Sequence, residues 1–287
     1  MNTALLAGLP RSGTTLVCAC LNELPDCVAL AEPMSPSTHG NVDLLLDEID
    51  AFVVSVRTRA LAEGKVHTKT VGKVVWPDNT HEEPTLEGRL RASLASREDI
   101  DIGKPLSPDF GLFIKHPNLF TAISRRLQER YPLYAIVRHP LEVYASWQTV
   151  EMPCHRGRIP MGERFAPDLK RTLDAIASPR ERQLALLRWF FDIYGAFPRD
   201  RVIRYEDLIA DPPATLARLH AKRAPMNVAI RAERPETRYP GVDLASLARD
   251  LLALSPAFET FYPDFAESLD RYLSPRREGE PRAEGQP

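Results

Sequence analysis

Cysteine is scarce in this sequence. Cys18, Cys20, Cys27 and Cys154 are all that 287 residues contain, and three of them fall inside one apolar stretch. No clustered His, Cys or Asp residues stand at metal-ligand spacing, so no metal site is expected, and so few thiols build no disulfide framework. The four are read as buried reduced thiols, the usage of a cytoplasmic protein. An excess of one charge is also absent: 37 Lys and Arg against 39 Asp and Glu give a formal net charge of −2. That balance gives no global reason to expect nucleic acid or an anionic membrane as partner, yet it leaves room for a local basic pocket. No apolar run approaches the roughly 18 residues of a membrane span. The opening residues Met1 to Ala7 carry no basic region, so no signal peptide is expected. Internal repeats and signs of a second domain are missing as well.

What is present is the punctuation of an α/β domain, in a chain that is 44% hydrophobic and long enough to bury a sizeable core. An apolar strand at 3–7 runs into a Gly/Pro/Ser loop and then a helix from Thr14 to Asn22, broken by Pro25-Asp26. Cys27–Ala31 reads as a short buried strand that ends at Glu32-Pro33. Residues 42–63 form a helix, with Leu44, Leu45, Ile49, Phe52 and Val53 at helical spacing. The stretch 64–105 resists assignment, with Lys73–Trp76 as its candidate strand and a turn at Asp78–Pro84. A strand at Phe110–Ile114, a helix at Asn118–Arg130 and a strand at Leu133–Val137 follow. That order predicts parallel pairing through a right-handed crossover. Leu141–Thr149 is helical, 151–167 a Pro/Gly/Arg-rich loop, Pro179–Phe197 a long helix, Arg201–Tyr205 a strand and Pro213–His220 a helix. Residues 224–242 read as irregular, before short helices near 243–254 and 264–273. From Pro275 to Pro287 the only apolar residue is Ala283, so a disordered tail is expected beyond a domain spanning 1–274. The fold class is α/β, a central parallel sheet flanked by helices.

Gly8-Leu9-Pro10-Arg11-Ser12-Gly13-Thr14-Thr15 lies between a strand and a helix. There, successive backbone N–H groups and the positive end of the helix can surround a phosphate. The spacing is that of a P-loop, except that Thr14 stands where a nucleoside triphosphatase has its lysine. Arg11 brings a cation inside the loop instead, which suits an anion other than a nucleoside triphosphate, such as a 5′-phosphosulfate. A second element is Tyr134-Ala135-Ile136-Val137-Arg138-His139-Pro140, followed by Ser146. Arg138 leaves the carboxyl end of a strand and Ser146 lies in the next helix, a disposition that can hold one phosphate between them.

Together these segments resemble the sulfotransferases, and the P-R-S-G-T-T loop is similar to that of the Golgi-type, tyrosylprotein and many bacterial members. A third segment, Val202 to Leu208 with Asp211-Pro212, resembles the family's late Y-E-D-L…D-P signature; Glu206 and Asp207 read as capping carboxylates. The resemblance spans roughly residues 3–220. It implies the P-loop-like sulfotransferase fold and the donor PAPS (3′-phosphoadenosine 5′-phosphosulfate), with PAP as product and no metal. It further implies that Arg11 contacts the 5′-phosphate and sulfonate, and that Pro10 to Thr15 surround them, with donors from Ser12, Gly13, Thr14 and Thr15. Arg138 and Ser146 would hold the 3′-phosphate. The late basic glycine-rich motif of cytosolic members has no clean copy here; Arg231, Arg234 and Arg238 before Gly241 are a loose substitute.

Sulfonate transfer needs a base for the acceptor's proton and cations for the leaving phosphate. Glu32 at a strand end and His116, after Lys115 at another, are both candidates for the base, and the likeness to glutamate-using relatives favours Glu32. Lys115 would stabilise the transferring sulfonate. His39 and His155 are candidates for acceptor loops, and His155-Arg156-Gly157-Arg158 for a lid or a solvated basic loop. The acceptor pocket is expected to draw on 33–60, 73–84 and 151–167. Its occupant is a small molecule, sugar, lipid or peptide bearing a hydroxyl or amine; neither this choice nor the oligomeric state is legible. The lack of an anchor points to a soluble or membrane-peripheral bacterial enzyme. The rival readings are a P-loop kinase or triphosphatase, which needs a Walker lysine and a Mg²⁺-holding aspartate, and a non-catalytic nucleotide-binding domain.

Overall fold

Every residue of Thr3–Gly8 (β1) is buried, with no polar alternation, as a strand covered on both faces requires. Its side chains divide by parity. Leu5 and Ala7 join one core with Val28 and Leu30 of Cys27–Ala31 (β2), Leu112 and Ile114 of Gly111–Lys115 (β5), and Ala135 and Val137 of Leu133–Val137 (β6). Ala4 and Leu6 join the opposite core with Ala29, Phe113, Ile136 and Ile203, the last from Val202–Arg204 (β7). The protein is thus a five-stranded parallel sheet, order β2-β5-β1-β6-β7, flanked by helices. The computed structural model describes residues 2–37, 40–84, 89–221 and 238–273. His39, Arg231, Arg234 and the tail from Pro275 lie outside them.

Helix Thr14–Glu23 (α1) covers one face, burying Leu16, Val17, Cys18, Cys20 and Leu21. Each fully buried Leu or Val contributes about 1.5–3 kcal/mol. Burial pushes the Cys18, Cys20, Cys27 and Cys154 thiols up to about 12, so all four free cysteines stay protonated at neutral pH. Val42–Glu63 (α2) covers the other face through Leu45, Ile49 and Val53; Leu44, counted in the same stripe by spacing, is 55% exposed. Among the described residues no helix is long and apolar enough to cross a membrane.

Four expectations need correction. β5 and β6 are parallel but do not pair, because β1 lies between them and bonds both; periodicity along a strand says nothing of its lateral neighbours. The helix expected at 118–130 is two, Pro117–Ala122 (α3) and Ser124–Leu127 (α4), parted at Ile123 with φ −112 and ψ 15. Thr121 Oγ1 donates to Pro117 O four residues back, at 2.7 Å, a bond that bends a helix. The loop expected at 151–167 contains the helix Pro160–Phe165 (α6) and reaches Pro167–Ala175 (α7), each opened by a proline at its start. Lys73–Trp76 is not a strand: Gly72, at φ 53, turns the chain so that Val71 and Val74 exchange backbone hydrogen bonds. The true strands of that stretch are Lys65–Val71 (β3) and Ala95–Asp101 (β4), an antiparallel pair with Lys65 opposite Asp101.

At the carboxyl ends of β1, β2, β5 and β6 stand, in turn, the glycine loop, Glu32, His116 and Arg138. In an open α/β sheet this is the ligand-binding edge.

Candidate functional site

The glycine loop is tied down from β6 and from Pro140–Gln148 (α5). Trp147 Nε1 donates to Pro10 O at 2.9 Å. The Ser12 hydroxyl donates toward Leu9 O and Ile136 O at 2.9 and 2.8 Å, and its backbone N–H donates to Leu9 O. Ser12 is fully buried, and its donors face Leu9 O within the loop and Ile136 O on β6. Gly13 precedes α1 at φ 90 and offers no side-chain cap, whereas α2 is capped by Asn41 and Pro179–Gly195 (α8) by Ser178. The N–H groups of the first turn of α1 therefore remain for another acceptor, and Gly13, Thr14 and Thr15 line a cleft of 660 Å³.

Gly13 is required twice over, by its positive φ and by its neighbour. A Cβ there would lie 2.4 Å from Cδ2 of Tyr205, the first residue of Tyr205–Ala210 (α9). The other side of the story is Arg138, whose guanidinium lies 4.4 Å from the centre of that ring. Gly13→Ala should therefore shift Tyr205 off Arg138 and strain the backbone by about 1–3 kcal/mol. A lowered Tm with at least a tenfold loss of 3′,5′-ADP affinity is the expected result; unchanged affinity would show that Tyr205 does not couple the two.

Arg11, itself at φ 71, sends its side chain across the cleft floor. Nε donates to Ser146 Oγ at 3.1 Å, and Nη1 reaches Asn79 Oδ1 at 3.4 Å and His81 Nδ1 at 3.1 Å. The sequence assigned Arg11 to one anion and Ser146 to another; the structure joins them. Ser146 accepts from Arg11 and keeps its own O–H to donate. Burial, then the nearby Arg91 and Arg138, bring the Arg11 pKa down to about 10, still charged at neutral pH. Arg138 pairs with Glu142 through Nη2 and donates to Arg11 O through Nη1 at 3.4 Å. Its Nε is buried with no partner among the described residues. Burial pulls the Arg138 pKa down, but Tyr239 and Glu142 hold it above its ordinary value. Glu142 also accepts from Arg238 Nη1 and Tyr239 Oη, each at 3.3 Å.

Glu32 sits at φ 48, its amide donating to Lys115 O at 2.7 Å and its carbonyl accepting from Arg97 Nε at 2.9 Å. One carboxylate oxygen meets Lys115 Nζ at 2.8 Å and the other Lys69 Nζ at 2.7 Å. Burial pulls the Glu32 pKa up, but Lys115, Lys69 and His116 more than reverse this and hold it well below the usual carboxylate range. Lys115 Nζ also donates to Thr15 Oγ1 at 3.1 Å, linking Glu32 to the glycine loop. His116 is buried, and its Nε2 accepts the Met34 amide at 3.1 Å, which leaves the proton on Nδ1. Burial, with Lys115 and Lys69 adding to it, brings His116 down to about 3. Its one free lone pair is thus already used.

Seven cationic side chains line the cleft against three acidic ones: Arg11, Lys69, Arg91, Arg97, Lys115, Arg138 and Arg238 face Glu32, Asp78 and Glu83. The chain is near neutral overall, so this excess is local and fits a polyanion. Met34 and Ser35, Asp78 to His81, Glu83 and Pro84, and Met152 and Met161 come from the segments expected to form the acceptor pocket; none of 40–60 lines it. His155 Nδ1 donates to Trp147 O at 3.0 Å, Arg156 O accepts from Arg182, and Arg158 pairs with Glu163 and Asp174. That segment packs on its own neighbours and does not line the cleft. Glu206 accepts the His139 amide at 2.8 Å ahead of α5 and the Tyr262 hydroxyl at 3.0 Å. The sequence reading missed Lys69, Asn79, His81 and Arg91, which carry no motif; Tyr205 lay in view within the Y-E-D-L segment.

No protein-family model and no curated protein matches the chain. Among solved structures, it is similar to the sulfotransferase STF1 from Mycobacterium tuberculosis H37Rv. The identity is 16% and the TM-score 0.29, covering 95% of this chain and 76% of that one.

Proposed function

We propose that the protein is a cytoplasmic sulfotransferase that moves a sulfonate group from PAPS to a hydroxyl or amine of its acceptor. The observation that carries this is the uncapped start of α1, opening into a cleft lined by seven cationic side chains. A ligand with anionic groups at both its 5′ and 3′ ends meets that demand. Arg11 and the amides of Gly13 to Thr15 take the 5′ end, and Arg138 with the Ser146 hydroxyl takes the 3′-phosphate. The donor supplies an electrophilic sulfur. The acceptor oxygen or nitrogen bonds to that sulfur while its proton passes to Glu32. The bond from sulfur to the 5′-phosphate oxygen breaks, and its electron pair leaves with PAP. Lys115, between Thr15 and Glu32, neutralises charge beside the transferring group. Glu32 is preferred to His116 because each carboxylate oxygen retains a lone pair, whereas Nε2 of His116 is occupied by Met34.

Calorimetric titration tests the reading. The protein should bind 3′,5′-ADP (PAP) tightly and respond little to ATP with Mg²⁺; a preference for ATP–Mg²⁺ would overturn it.

A further inference from the structure

His81 plays no part in the mechanism above, yet its chemistry is constrained. It stands where a single bridge joins it to Ser93, and it lines the cleft at 8% exposure. Its Nδ1 lies 3.1 Å from Arg11 Nη1 and 3.2 Å from Thr80 Oγ1. A guanidinium only donates, so Nδ1 presents its lone pair to Arg11. A neutral imidazole then carries its proton on Nε2. Burial, reinforced by Arg11 and Arg91, brings His81 down to about 3, in keeping with that neutral form. Nε2 is buried and has no acceptor among the described residues. A buried N–H left unmade is costly, and this one belongs to a cleft-lining ring already fixed to the arginine of the glycine loop. Asn79 steadies the same arrangement: its Oδ1 accepts from Arg11 at 3.4 Å and its Nδ2 donates to His81 O at 3.1 Å.

We propose that His81 donates a hydrogen bond from Nε2 to an anionic oxygen at the phosphosulfate end of the donor, while its Nδ1 orients Arg11 toward the same group. This rests on the sulfotransferase reading. No proton is transferred by His81: it acts as a fixed donor to the negative charge that gathers as the sulfur–oxygen bond breaks.

Two measurements test it. In the wild-type protein labelled with ¹⁵N, His81 should show a pyridine-type Nδ1 and a protonated Nε2, and the Nε2–H resonance should move on adding PAP or PAPS. Movement with PAP places the contact on the 5′-phosphate; movement with PAPS alone places it on the sulfonate. His81→Asn keeps an acceptor near Nδ1 and removes the Nε2 donor, so kcat should fall about 10²-fold, the loss that follows removal of one such donor; PAP affinity should fall about tenfold or more if the resonance moves with PAP, and stay within about threefold if it moves with PAPS alone. A merely structural His81 would leave the resonance unmoved. If PAP and PAPS bind by calorimetry and neither the resonance nor kcat changes, the proposal is overturned and the sulfotransferase reading stands. If neither nucleotide binds, both fall together. Should His81→Asn fail to fold, the wild-type resonance decides alone.

Discussion

Glu32→Gln should lower kcat about 10³-fold and leave PAP affinity nearly unchanged, the signature of a lost general base. Glutamine keeps the shape but accepts no proton. The two ammonium partners make the carboxylate a weak base in the free protein, since both Lys115 and Lys69 stabilise its charged form. In the proposed reaction a sulfonate entering beside Thr15 would compete for Lys115, weaken that stabilisation and so raise the basicity of Glu32. The pH dependence follows from the direction of the shift. A carboxyl depressed below its ordinary 4.5 stays ionised as pH falls to that value, so its acid limb lies lower still. The stability it confers is present above its unfolded pKa and lost as pH falls through the folded one. His116, at about 3, titrates below the same window. kcat/KM should therefore be flat between about pH 5 and 7; a limb near 6.5 that vanishes in His116→Asn would transfer the role to the imidazole. The Gln variant also leaves Lys115, at 4% side-chain exposure, without its counter-charge. A buried pair so broken costs about 3–5 kcal/mol, and the partial exposure of Glu32 and Lys69 puts this one toward the lower figure. Turnover should be compared well below the lowered Tm.

The five strands of the main sheet were legible from their short apolar runs, and the ends of four of them marked the glycine loop, Glu32, His116 and Arg138. The β3–β4 pair was not. Lys-Val-His-Thr-Lys-Thr-Val alternates, but with threonine where a core-facing strand would show leucine, and Ala-Ser-Arg-Glu-Asp-Ile-Asp buries only Ile100 among polar and charged neighbours. Thr68 and Thr70 are buried through hydrogen bonds, to Ala31 N and Ser96 Oγ, rather than through apolar packing. Missing that pair meant missing Lys69 and Arg97, two of the cations around Glu32. The segment 78–93 carries no periodicity at all, and only its tertiary placement brings Asn79, His81 and Arg91 to Arg11. Ser12 shows a contact that sequence does not reveal: its hydroxyl faces Leu9 O of its own loop and Ile136 O of β6.

Arg138→Ala should weaken PAP binding by about 10–100-fold while changing 5′-AMP binding little, because a charge-assisted hydrogen bond contributes about 1.5–3 kcal/mol and each 1.4 kcal/mol is tenfold. The difference between the two nucleotides is the 3′-phosphate, so it isolates the contact assigned to Arg138. The substitution also removes one cation from Glu142, whose side chain is 7% exposed and which keeps its contacts with Arg238 and Tyr239. Part of any loss of affinity would then come from a buried carboxylate, short of one cation, repelling the phosphate. The pair Arg138→Ala with Glu142→Gln separates these effects. Stability should recover in the double variant, and PAP affinity should remain well below wild type, because the cation is still missing. Arg138→Lys should recover less than its charge suggests: lysine cannot stack over Tyr205 as a planar guanidinium does, nor bond Glu142 and Arg11 O through separate nitrogens. Equal weakening of PAP and 5′-AMP would make Arg138 a brace for Tyr205 and Gly13, and the 3′-phosphate would have to be held elsewhere in the cleft, with Arg91 and Arg238 the cations left to do it.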